Sequence, residues 1–151
     1  VTISTLSLMN FIKRHEGLRL IIYICPAGKR TIFWGRNIDD NPFSPDEIVA
    51  LIEKGATTEV AEMCLKRDLE WTISSLRNEF ADYDNFSKAR KIALASVMFN
   101  LGRTKFMKFK FMISAIRHDD WVAAGIELLN SKRGKQLKNR TEEEMDMLIQ
   151  G

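Results

Sequence analysis

Three residues whose side chains can do chemistry stand at a definite spacing: Glu16, eight residues, Cys25, five residues, Thr31. The helical steps of Leu6, Met9, Ile12 and Lys13 predict a helix stopped by Gly17, which puts Glu16 on its last turn. There the helix dipole disfavours an ionised carboxylate, so the position suits a group that must deliver a proton. Cys25 and Thr31 bring a thiol and a hydroxyl, a pair able to hold or activate a water molecule. Taken singly, each has a plainer reading. A glutamate at a helix end is usually a solvated charge, a cysteine usually a small buried hydrophobe, and a threonine simply a good strand residue. The spacing is what joins them.

The surrounding elements must then bring the three together. Leu20 to Ile24 has strand composition, Pro26-Ala27-Gly28 is turn chemistry, and Thr31 to Trp34 reads as the returning strand. Such a hairpin places Cys25 and Thr31 side by side near the end of the Glu16 helix. Asn37 to Pro45 is a polar loop, and Ser44 with Glu47 forms a capping box that starts a helix with Pro45 at its first position. That helix stops at Gly55. Ala61, Leu65, Leu69, Thr72, Leu76 and Phe80 mark one face of a longer helix. Ser87 caps another, whose stretch Ile92 to Leu101 is apolar on nearly every side and so belongs inside a core. Asp119 and Asp120 open a helix running through Trp121 and Leu128, and a last one includes Met145 and Leu148. The expected fold class is α+β in a single domain over 1–151. A small β-hairpin subdomain at about 18–43 packs at one end of a mainly α-helical bundle, made of a helical lobe at about 44–151 and the N-terminal helix.

Composition excludes several classes. Hydrophobic residues make up 45% and charged residues 28% of the 151, which is ordinary for a folded globular chain and far from disorder. No apolar run is long enough to cross a bilayer, and Val1 to Leu8 lacks the basic start of a signal peptide. A net charge of +3 is too slight for a typical nucleic-acid binder and is compatible with weak attraction to an anionic polymer such as a cell wall. Two cysteines and two histidines, without a ligand motif, argue against metal chemistry, and Cys25 and Cys64 are not expected to pair.

The Glu16–Cys25–Thr31 spacing resembles the Glu-Asp/Cys-Thr pattern of the tailed-phage lysozymes, the endolysin family, and the likeness is strongest to the T-even phage enzymes. It extends over almost the whole chain. Glu16-Gly17-Leu18-Arg19-Leu20, Tyr23 and Thr31-Ile32 resemble the family's helix end and hairpin. Tyr83-Asp84, Ala89-Arg90-Lys91 and Phe99-Asn100-Leu101-Gly102 resemble its central helix, as do Trp121, Gln136 and Asn139-Arg140 later positions. The resemblance implies a cofactor-free muramidase cutting peptidoglycan between N-acetylmuramic acid and N-acetylglucosamine. Glu16 would protonate the leaving oxygen, Cys25 would stabilise charge or help direct the attacking water, and Thr31 would position that water, with the role of Cys25 as base, nucleophile or spectator left open. It implies synthesis in an infected host cytoplasm, action on the periplasmic cell wall, and a monomer without stable membrane insertion. Phe99, Asn100 and Arg140 are the candidate substrate contacts.

The chain departs from the family where a Gly-x-Gly-His pattern is usual and Phe33-Trp34-Gly35-Arg36 stands instead. Phe33 is expected to narrow the cleft or re-aim the hairpin, and Arg36 to pair with Asp68 in place of the histidine. Lys29 and Arg30 are expected to supply an electropositive setting for Cys25. In the region expected to line the sugar cleft on the α side, Met112 and Glu127 fall about where relatives carry small polar contacts. Lys105 to Met112 interleaves basic and aromatic residues, expected to bury its phenylalanines and solvate its lysines; Glu142-Glu143-Glu144 reads as a solvated helix start. Two alternatives stay open: a lysozyme-fold protein that binds wall glycan without cleaving it, and a helical module meeting an acidic or membrane partner.

Overall fold

The computed structural model describes residues 3–151; Val1 and Thr2, the start of the stretch read above for a leader, lie outside the described residues. Helix α1 (Ile3–Glu16) leads into a three-stranded antiparallel sheet, ordered β1 (Arg19–Ile24), β2 (Arg30–Phe33) and β3 (Arg36–Asn37). The chain then continues as α2 (Pro45–Lys54), α3 (Thr58–Glu79), α4 (Lys88–Leu101), α5 (Arg103–Phe106), α6 (Lys110–Arg117), α7 (Trp121–Leu129), α8 (Lys132–Gln136) and α9 (Lys138–Gln150). The fold is α+β, mostly helical with one small sheet. It resolves into two compact units, Met9–Glu70 and Val1–Leu8 with Trp71–Gly151, so that α1 and α3 each contribute to both.

In the Met9–Glu70 unit, the helix stop expected at Gly17 and the β1–β2 hairpin appear where composition indicates. The hairpin pairs Tyr23 with Thr31 and Ile24 with Arg30. β3 adds a short third strand, pairing Thr31 with Asn37, that the polar composition of the loop conceals. The Ser44 hydroxyl accepts from the Glu47 N–H at 3.3 Å, and the Glu47 carboxylate accepts from the Ser44 N–H at 2.8 Å, so the capping box is complete. β1 is solvent-exposed along almost its whole length; Met9, Phe11, Ile12, Ile32, Phe33 and Trp34 supply the apolar interior instead.

In the other unit, α4 is capped by Ser87, and every residue from Ile92 to Met98 is buried. α9 packs on α7, α4 and α8, and α6 packs on α7. Of the long stripe of α3, Thr72 and Leu76 are buried in this unit, with Phe80 following, whereas Ala61, Leu65 and Leu69 are buried in the Met9–Glu70 unit. Three expectations are overturned here. Glu144 is fully buried, bound by Arg133, because α9 begins at Lys138 and its second turn faces inward. Among the phenylalanines of the basic stretch only Phe106 is fully buried, whereas Phe111 is 78% exposed. Met112 is buried on the inner face of α6, so it is core rather than cleft lining.

Candidate functional site

Glu16 ends α1, and its carboxylate lies directly over Gly35. A β-carbon at residue 35 would stand 3.1 Å from Glu16 Oε2 and 3.6 Å from Cδ. Gly35 also has φ +81°, a left-handed conformation that side chains resist. The backbone conformation therefore favours glycine, and any side chain there would press on the carboxylate; neither constraint is visible in the spacing of Glu16, Cys25 and Thr31.

The hairpin positions the other two groups. The Cys25 N–H donates to the Lys29 carbonyl at 2.9 Å and the Gly28 N–H to the Cys25 carbonyl at 2.8 Å, closing the three-residue loop Pro26-Ala27-Gly28. This loop turns backbone N–H groups toward the sulfur. The Cys25 thiol is held below its ordinary pKa, chiefly by the Lys29 N–H; slight desolvation opposes, and the Ala27 N–H and the Thr31 hydroxyl add to the lowering. The Lys29 and Arg30 side chains do not supply the electropositive setting expected of them. Lys29 Nζ pairs with Asp40 at 3.3 Å and Arg30 with Asp39 at 2.7 Å, while the backbone does the work at the sulfur. Thr31 is 4% exposed and its hydroxyl also reaches the Lys29 carbonyl at 3.0 Å.

Tyr23, opposite Thr31 in the hairpin, is raised in pKa by partial burial and then by the negative charge of Glu16; Arg19, stacked on its ring at 4.8 Å, opposes, and Cys25 adds to the rise. Its neutral phenol is thus within electrostatic reach of both the carboxylate and the thiol. Sequence reasoning noted Tyr23 only as part of a resemblance; its place across from Thr31 was the available signal.

Behind the hairpin, Arg36 binds Asp68 in the expected pair, through Nε at 2.8 Å and Nη2 at 2.9 Å. It also binds Glu47 through Nη1 at 3.2 Å and Nη2 at 2.8 Å, a partner that sequence reasoning had assigned only to the capping box. Asn41 donates to Asp68 and accepts from Arg67, and Arg67 approaches Glu47 at 3.3 Å. Two cations thus meet two carboxylates, tying β3 to α2 and α3. Burial alone would raise the Glu47 carboxyl, but hydrogen bonds from Arg36, the Ser44 N–H and the Cys64 thiol hold it down at about 2. Burial, and then donation to Glu47, push the Cys64 thiol up to about 12. Both cysteines are free, and their environments are opposite.

With this geometry described, comparison with known proteins identifies the lineage. The sequence model described as "Phage lysozyme" matches residues 13–144. The chain belongs to the phage lysozyme family. Relatives include a probable T4-type lysozyme 2 of Dictyostelium discoideum, 29% identical over 89% of each chain. An endolysin of Acyrthosiphon pisum secondary endosymbiont phage 1 is 28% identical over 86% of this chain and 80% of its own length. The phage lysozyme family consists of lysozyme-type cell-wall hydrolases acting on peptidoglycan.

Within this phage lysozyme fold, Phe33 adopts φ +61°, the conformation of a glycine, and is 1% exposed. Its ring meets Phe43 edge-on at 6.3 Å inside the Met9–Glu70 unit, so the side chain turns inward rather than into solvent. Phe99, Asn100 and Arg140 lie in the other unit. Phe99 is half-buried. Asn100 accepts from Arg133 at 2.8 Å, and Arg140 donates to the Ser96 hydroxyl at 3.1 Å and lies 3.7 Å from Glu144. Asn100 Oδ1 and the Arg140 guanidinium are therefore engaged in the buried Arg133–Glu144–Ser96 cluster. Among the described residues, no group of three or more His, Cys, Asp and Glu side chains is arranged to hold a metal ion.

Proposed function

We propose that this protein is an N-acetylmuramidase that cuts peptidoglycan with Glu16 as proton donor. The observation that carries the reading is the juxtaposition at the helix end: Glu16 seated on a side-chain-free Gly35, next to a hairpin that hydrogen-bonds a lowered-pKa thiol to Thr31. Protonated Glu16 gives its proton to the glycosidic oxygen as the bond to the muramic anomeric carbon breaks. A water held by the Thr31 hydroxyl and the Cys25 sulfur attacks that carbon and leaves its proton on the Cys25 thiolate. Exchange with solvent then returns a proton to Glu16 and removes one from Cys25. This is the logic of an inverting glycosidase with a thiolate in place of the second carboxylate. The fold class and the family suit an enzyme made in an infected cell and acting on the periplasmic wall to lyse the host.

Clearing of outer-membrane-permeabilised Gram-negative cells, and release of reducing ends from purified peptidoglycan, test this. The parent is expected to act and Glu16→Gln to be inert while equally folded. An active Glu16→Gln overturns the reading, and wall binding by an inactive parent replaces it with glycan recognition alone.

A further inference from the structure

The two units differ in how their lysines are used. All four lysines of Met9–Glu70 sit in ion pairs, with Glu62, Asp40, Glu59 and Glu70. Of the eight lysines in Trp71–Gly151, none is in an ion pair among the described residues. Between Asp84 and Asp119 the sequence contains eight lysines and arginines and no acidic residue, although the whole chain is only +3. That imbalance sharpens at the turn joining α5 to α6. Lys105, Lys108 and Lys110 are all exposed, and beside them Phe111 is 78% exposed. The four lie within seven consecutive residues, so their backbones are no more than roughly 20 Å apart. The turn is held from below: Phe106, Met112, Ile113 and Ile116 are buried, and Arg103 and Arg117 both bind Glu79 on α3. A fixed turn thus presents three uncompensated ammonium groups and one phenyl ring to solvent.

We propose that the Arg103–Arg117 segment docks on an anionic phospholipid surface, with Phe111 at the acyl boundary and Lys105, Lys108 and Lys110 on headgroup phosphates. A soluble polyanion would account for the charge alone. A ring left 78% in water at the head of an amphipathic helix matches an interface that accepts apolar and phosphate groups side by side. The docking is peripheral and independent of wall cleavage. It would keep the protein at the membrane face of the compartment in which its wall substrate lies.

Co-sedimentation with vesicles of phosphatidylcholine alone, or containing phosphatidylglycerol, tests it on the full chain. Binding is expected only to the anionic vesicles and is expected to fall steeply with salt. Each lysine near such a surface is worth roughly a factor of five, so reversing all three to glutamate should weaken binding by at least about a hundredfold. Phe111→Ser should also weaken it several-fold. Both variants should cleave lipid-free peptidoglycan as the parent does, which separates this proposal from the hydrolase reading, and Glu16→Gln should bind vesicles unchanged. No vesicle binding, equal binding to neutral vesicles, or full binding by Phe111→Ser would overturn it. Competition in which a single-stranded oligonucleotide strips the protein from vesicles and Phe111→Ser loses the oligonucleotide instead would assign the turn to nucleic acid.

Discussion

Glu47 is where the structure makes its most quantitative demand. Its carboxylate is 1% exposed, completes the α2 cap and receives two hydrogen bonds from Arg36. The folded pKa is about 2 against an ordinary 4.5, a difference worth about 3 kcal/mol of stability. The folded pKa is depressed, so this contribution is complete above pH 4.5 and drains away as pH falls toward and through 2. Glu47→Gln keeps the shape and removes the charge, leaving Arg36 to Asp68. At pH 7 it should cost about 3 kcal/mol, the lower end of what losing one partner of a buried ion pair costs, or roughly 6–12 °C in Tm for a chain of this size. Urea unfolding of parent and variant between pH 7 and pH 2 measures the gap directly, because every other titrating group is common to both. The gap should shrink to below about 1 kcal/mol at pH 2. A gap that stays constant across that range would refute the assignment of the stability to the Glu47 charge.

Other consequences can be checked alongside. Gly35→Ala should lower kcat on purified wall several-fold, by pressing on the Glu16 carboxylate, while thermal melting shows only a modest loss. At position 33, alanine and glycine should rank opposite to their usual order: both lose the buried ring, about 3–5 kcal/mol, but glycine relieves φ +61° and should be more stable than alanine by about 1 kcal/mol. Iodoacetamide at neutral pH should alkylate Cys25 in the native protein and leave Cys64 untouched until unfolding, as peptide mapping would show. Arg133→Met removes the two-bond partner of the fully buried Glu144, leaving it Ser96 and Arg140, and should destabilise by about 3 kcal/mol in denaturant titrations.

Much of the fold is legible because local signals agree with the tertiary outcome. Ser44, Pro45, Glu47 and Gly55 bracket α2, and the apolar stretch from Ile92 to Met98 announces a helix buried on every side. What escaped was decided over distance. Glu47 reads as a cap, but its bond to Arg36 spans eleven residues and depends on β3, a strand too short and polar to be anticipated. Glu144 looks like one of three solvated acids until Arg133 is brought against it. At the candidate site, Glu16, Cys25 and Thr31 are visible through spacing. The lowering of the Cys25 thiol comes from backbone N–H groups, which no side-chain motif reveals.

The division of the molecule is not a division of the chain, and this bears on its synthesis. Met9–Glu70 is one uninterrupted segment, whereas the other unit is assembled from Val1–Leu8 and everything after Trp71. A ribosome delivers the former whole, with Glu16, Cys25 and Thr31 in place, before it has begun the latter's main part. The opening turns of α1 lack most of their packing partners until the helices that follow Trp71 have been made, so closure of that unit is a long-range event and the slow step to expect in folding.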